Sequence, residues 1–263
     1  MTPLRRSCMA ALALLSCLSV LPTAQAQGAP APILTPFTVT STGQAPAPWR
    51  FSTLPHKNAT RFAVERQDGR AVLRVETDDA YGNLVHPVHV TLDDGATLAW
   101  RWRVDRFVEG ADLRTRAGDD GAAKLCVFFA LPTDRLPFGE RARLALARSA
   151  TGEDVPSETL CYVWDEKEAR NTALVNAFTQ RIRMLVLESG PAAAGPWRSE
   201  RRNLLADYQR AFGAEAGGLQ PDVVGVAVSA DADNTGGHGL AYFADLDLRG
   251  TQAGPSMQTV HGP

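Results

Sequence analysis

Ten segments of this chain alternate apolar and polar residues with a period of two: WRFSTL, TRFAVERQ, AVLRVETD, NLVHPVHVTL, TLAWRWRVD, AAKLCVFFAL, ETLCYVWDE, RIRMLVLES, VVGVAVSAD and LAYFADLDL. That period suits a pleated strand with one face in a core, and it does not suit a helix. Turn residues separate the segments: Asp68-Gly69 is a strong hairpin signal, Asp93-Asp94-Gly95 a further one, and Pro87 marks an edge or a bulge. Many strands without alternating helices predict an all-β fold, an antiparallel sandwich or jelly roll rather than a βαβ fold.

Two stretches break the pattern. Residues 140–150 (ERARLALARSA) are a short helix candidate. Residues 197–212 (WRSERRNLLADYQRAF) are a better one, with Ser199 placed to cap it, Leu204, Tyr208 and Phe212 on one face, and Gly213 to end it. Arg201, Arg202 and Arg210 on that helix suit either a solvated face or a binding surface.

Residues 1–26 have the form of an export signal: Arg5 and Arg6 precede an apolar run that closes at Ala24, Gln25 and Ala26, an A-x-A cleavage pattern. The run is shorter than the roughly 17 to 25 residues of a membrane span, and the expected destination is a periplasm or the medium. Two of the 27 basic residues and two of the four cysteines lie in that segment, leaving 25 basic against 29 acidic residues. A net negative chain argues against an electrostatic nucleic-acid footprint. The remaining Cys126 and Cys161 each sit in an apolar alternating run, and an oxidising compartment permits either a disulfide or two buried thiols. Residues 27–36 are expected as a flexible lead-in, 37–250 as one domain, and 251–263, which lack an apolar period, as a disordered tail.

No nucleophile elbow, phosphate-binding glycine loop, C-x-x-C or dinucleotide fingerprint is present. His86 and His89 in HPVH point to opposite faces of a strand and make a poor zinc pair. Oxygen ligands are the available chemistry: Asp119 and Asp120 in the turn GDD, Asp231, Asp233 and Asn234 in the loop DADNTGG, and Asp245 on the last strand. Together they suit a structural calcium ion. The loop begins like an EF-hand but places Tyr242 where the bidentate Glu belongs, and the same residues also suit a plain turn.

Aromatic residues form the second constellation. Trp100 shares a strand face with Trp102, and Tyr162 with Trp164. Such rings serve either as sugar platforms or as core. As a ligand surface the sequence offers Trp102, Tyr162, Trp164, Arg202 and Asn203.

The set WRWRVD, GDD, CYVW, ERRNLLADYQRAFG, DADNTG and AYFADL resembles the exported bacterial family catalogued as domain of unknown function 3047, over nearly all of the chain beyond the signal. The resemblance implies an exported β-sandwich without an established reaction. More loosely, AYFADLDL is similar to the last strand of galactose-binding-like jelly rolls, where an aspartate, here Asp245, often helps to hold calcium. The resulting expectation is a periplasmic or secreted, non-catalytic module binding a carbohydrate or envelope glycan, with a possible structural calcium ion and no organic cofactor. Alternatives are a glycan hydrolase using two carboxylates among Asp119, Asp120, Glu158, Asp165 and Glu188, or a structural protein of the cell envelope.

Overall fold

In the computed structural model the described residues are 31–131, 138–139, 141–142, 145, 156–215, 217–218 and 220–252. Each of the ten alternating segments contains a strand, and the strands form two sheets. The larger runs β1 (Arg50–Ser52), β5 (Ala80–Thr91), β12 (Asp222–Asp231), β7 (Gly121–Ala130), β8 (Glu158–Asp165), β10 (Ile182–Ser189) and β9 (Ala173–Val175), with β2 (Asn58–Ala59) added on β5. The smaller runs β11 (Arg198–Asn203), β6 (Thr97–Arg106), β13 (His238–Arg249), β4 (Arg70–Asp78) and β3 (Arg61–Gln67). Pairing is antiparallel apart from β8 with β10 and β2 with β5, which run parallel.

The sheets pack face to face because the alternation puts large residues on both inner faces. Trp100 and Trp102 of β6 and Phe243 of β13 meet Leu125, Val127 and Phe129 of β7 and Tyr162 and Trp164 of β8 in one core. Burying each such side chain stabilises the fold by roughly 1.5–3 kcal/mol. Asp68 and Gly69 both take positive φ, 48° and 79°, in the two-residue hairpin that joins β3 to β4. Pro87 stands opposite Gly225 at a register shift between β5 and β12, the kind of irregularity at which a strand accommodates proline.

The expected 197–212 helix divides in two. Residues 198–203 extend as β11 on the edge of the smaller sheet, with half-buried Arg198, Glu200 and Arg202 alternating with exposed Ser199, Arg201 and Asn203. The helix α1 is Leu204–Phe212, and its cap is Asn203, not Ser199: Ala206 N donates to Asn203 Oδ1 at 2.8 Å. Leu204, Tyr208 and Phe212 are its buried face, and Gly213 follows its last residue. Most of the helix expected over 140–150 lies outside the described residues. The packed region also exceeds its expected limits. Leu34, placed in the lead-in by sequence, is 1% exposed, and Gln252 forms a bridge with Val90. Among the described residues no helix is long and apolar enough to cross a membrane.

Candidate functional site

The larger sheet turns a second apolar face away from the core. Cys126, Phe128, Cys161, Ile182 and Met184 form the floor of a cleft there, of about 430 Å³. Cys126 and Cys161 are register partners on β7 and β8 and are joined as a disulfide, with Cα atoms 4.0 Å apart. Leu54 and Phe178 stand at its rim, 49% and 53% exposed. One end is polar, walled by Tyr81, Asn83, Lys124, Ser229 and Asp231 from the strands and by Lys57, Asp119, Asn176, Asp233 and Asn234 from loops.

This polar end joins the GDD turn to the DADNTGG loop. Asp120 is fully buried; its Oδ1 accepts from Asn234 N at 3.3 Å and Asn234 Nδ2 at 3.1 Å, and its Oδ2 from Thr235 N at 2.7 Å. Asn234 Nδ2 also reaches the Asp119 carbonyl at 3.3 Å. Asp231, at the end of β12, accepts from Gly121 N at 2.8 Å and from Lys124 Nζ at 2.9 Å. Lys124 can lie across the strand start because residue 121 is glycine: a Cβ there would stand 2.8 Å from Lys124 Cε. Asp233 pairs with Lys57 Nζ at 2.7 Å.

Burial pushes the Asp231 carboxyl up to about 6, against the pull of Lys124. Burial acts to lower the Lys124 ammonium, but Asp231, Asp119 and Asp120 outweigh it and hold the group charged well above the ordinary lysine range. Ligand oxygens of Asp120, Asp231 and Asp233 lie within 4.8 Å of one another, close enough to hold a metal ion. Asp119 is 6% exposed. Its Oδ2 accepts from Asn176 Nδ2 at 2.5 Å, while its buried Oδ1 has no partner.

The structure thus gathers Asp119, Asp120, Asp231, Asp233 and Asn234, but it separates Asp245 from them. Asp245 sits seven residues into β13, about 23 Å along an extended strand. There a register shift between Ala244 and Asp247 and a φ of 54° turn it toward Arg70 and Arg101, at 3.3 and 3.5 Å.

The expected aromatic ligand surface is core. Trp102, Tyr162 and Trp164 are 0%, 0% and 2% exposed. Their rings interlock between the sheets, with Trp102 and Trp164 centroids 5.7 Å apart and Trp100 and Tyr162 centroids 5.2 Å apart. Arg202 is held by Asp207, which also accepts from the Tyr162 hydroxyl at 2.8 Å, and Asn203 is occupied as the helix cap. The carboxylates weighed for hydrolysis are dispersed. Glu158 accepts from Tyr208, Asp165 from two turn N–H groups, and Glu188 pairs with Arg170; of the five only Asp119 lines the cleft. Sequence reasoning missed Tyr81, Asn83, Lys124, Asn176 and Phe178. For Lys124 a signal existed: a single lysine inside the apolar run AAKLCVFFAL.

A family model described as "Protein of unknown function (DUF3047)" matches residues 47–247, and the chain belongs to that family. No curated protein sequence matches it. Among solved structures, the xyloglucanase domain of NopAA, a type three effector from Sinorhizobium fredii in complex with cellobiose, is similar at 7% identity and TM-score 0.39, covering 77% of this chain and 97% of that one. Trichoderma harzianum endoglucanase 3 from family GH12 is similar at 11% identity and TM-score 0.37, covering 78% and 100%. The catalytic domain of Humicola grisea Cel12A, in complex with a soaked thio cellotetraose, is similar at 11% and 0.36, covering 73% and 88%. These scores are too low for the likeness to bear on ligand or mechanism.

Proposed function

We propose that this member of the DUF3047 family is an exported, non-catalytic glycan-binding protein whose ligand lies in the cleft on the outer face of the larger sheet. The observation that carries the reading is the cleft itself: an apolar floor, an exposed ring at the rim and one polar end, within about 430 Å³. A sugar has an apolar face for Phe178 and hydroxyls for Asn83, Asn176 and Asp119. Phe178, rather than Trp164, is the platform in this reading. Export places the chain where the bond between Cys126 and Cys161, in the cleft floor, is kept oxidised.

Binding is favoured over hydrolysis because the carboxylates of the polar end are engaged. Asp231 and Asp233 each hold an ammonium group and Asp120 holds loop N–H groups, leaving no carboxyl pair free to act as acid and nucleophile. The same contacts give Lys124 and Lys57 the neutralising role that the sequence suggested for calcium, which would have to displace them from Asp231 and Asp233.

A glycan array probed with the protein, followed by titration of the best ligand, tests the reading. Phe178→Ala should weaken that ligand by about ten-fold while leaving the melting temperature unchanged. Absence of glycan binding, or full affinity in Phe178→Ala, refutes it. A melting temperature that rises with added calcium would assign the aspartate cluster to a cation instead.

A further inference from the structure

Asp119 closes one end of the cleft with half of its carboxylate satisfied. Asn176 occupies Oδ2, whereas Oδ1 is buried without a donor, in a residue that is 6% exposed and lines the wall. A buried acceptor left without a partner destabilises the fold, and more so when it is charged. The folded chain therefore keeps an acceptor waiting for a donor at this point of the cleft.

The surrounding charges indicate which donor fits. Lys57 and Lys124 are the lysines of the cleft lining; the first is committed to Asp233 at 2.7 Å and the second to Asp231 at 2.9 Å. Asp120, which is fully buried, has its oxygens on the N–H groups of Asn234 and Thr235. Among the described residues Asp119 is thus the cleft carboxylate with no ion-pair partner. A hydroxyl would supply a donor without charge, and an acetamide a donor on a bulkier neutral group. An ammonium supplies both donor and charge, in a hydrogen bond about twice as strong as a neutral one.

Building on the glycan reading, we infer that Asp119 receives the ammonium group of an amino sugar, so that the ligand is a glycan bearing free amines. The rim ring and apolar floor hold the sugar body, and the carboxylate selects the substituent.

The test compares three β-1,4-linked hexamers that differ at one substituent: glucosamine, N-acetylglucosamine and glucose. Each is titrated calorimetrically into the protein at about pH 5.5, below the α-amine range, so that the free amines are protonated. The glucosamine hexamer should bind at least about ten-fold more tightly than either neutral hexamer, with an advantage that shrinks as salt is added. In Asp119→Asn, which keeps the shape and removes the charge, that advantage of the glucosamine hexamer over the neutral ones should vanish.

Equal or tighter binding of a neutral hexamer to the unmodified protein overturns the amine assignment without relying on any variant. So does an amine advantage that survives in Asp119→Asn. If in either case Phe178→Ala still weakens binding, the glycan cleft stands and only the amine assignment falls. Failure of all three hexamers, together with a blank glycan array, removes the glycan reading and this inference with it.

Discussion

Replacing Lys124 by Met should destabilise the fold more than any other single change at the polar end of the cleft. The Lys124 and Asp231 side chains are 9% and 10% exposed, with Nζ 2.8 Å from Oδ1. Removing one partner of a buried pair leaves the other charge uncompensated and costs about 3–5 kcal/mol. Part of that cost depends on pH, and its sign follows from Asp231. Its carboxyl is raised from an ordinary 3.8 to about 6 in the folded chain, so the folded state binds this proton more tightly than the unfolded state. The resulting contribution to stability is complete below the unfolded value and is lost as pH rises through the folded one. Without Lys124 the folded value climbs further and the loss continues to higher pH. In the limit where Asp231 stays protonated, the variant's deficit grows by about 2 kcal/mol between pH 5 and pH 7.5, at 1.36 kcal/mol per unit. Urea unfolding of both proteins at the two pH values measures this directly. The double variant Lys124→Met, Asp231→Leu should recover most of the loss, because neither charge is then stranded. A Lys124→Met protein with the original midpoint at pH 7.5, or with an equal deficit at both pH values, would refute the reasoning.

Trp164→Ala should cost about 3–5 kcal/mol in denaturant unfolding, since the indole is locked against Trp102 between the sheets; a glycan-binding loss at unchanged stability would return it to a surface role. Reducing the Cys126–Cys161 bond, which closes a loop of 35 residues, should lower stability by roughly 3–4 kcal/mol, read from unfolding with and without reductant. Asn203→Ala removes the N-terminal cap of α1 and should cost about 1 kcal/mol, whereas Ser199→Ala, on an exposed strand position, should have no measurable effect.

The sandwich was legible because burial on one face writes itself into alternation, and each of the ten alternating segments contains a strand. β11 was not: its alternation is Arg, Glu, Arg against Ser, Arg, Asn, with no apolar residue to mark the inner face. Adjacent helical periodicity in LLADYQRAF then extended the expected helix backwards over it. The aromatic site was misplaced for a related reason. All eight residues of β8 are buried, so ETLCYVWD carries no polar face to show which rings meet solvent and which meet the other sheet. Shared faces could be inferred for Trp100 with Trp102 and for Tyr162 with Trp164, but the side of the sheet could not. Phe178, in the turn-like stretch NAFTQ, belongs to no periodic element, so nothing local marked it as the rim of a cleft.

The aspartate loops show the limit from the other direction. Asp and Asn next to Gly were expected to gather oxygen atoms, and 119–120 with 231–234 do so across more than 100 residues of sequence. Composition alone could not say what would neutralise them, because Lys57 and Lys124 arrive from a loop and a strand with no local link to either turn. Repulsion among close carboxylates must be met by cations or by hydrogen-bond donors. Here each carboxylate has its own solution: loop N–H groups for Asp120, Lys124 for Asp231 and Lys57 for Asp233. Asp119 is the exception, half satisfied by an amide and without a donor on its buried second oxygen. A chain that pairs its neighbouring acids so closely and leaves one buried oxygen without a donor, in a residue of the cleft wall, has located its unmet electrostatic demand beside the cleft.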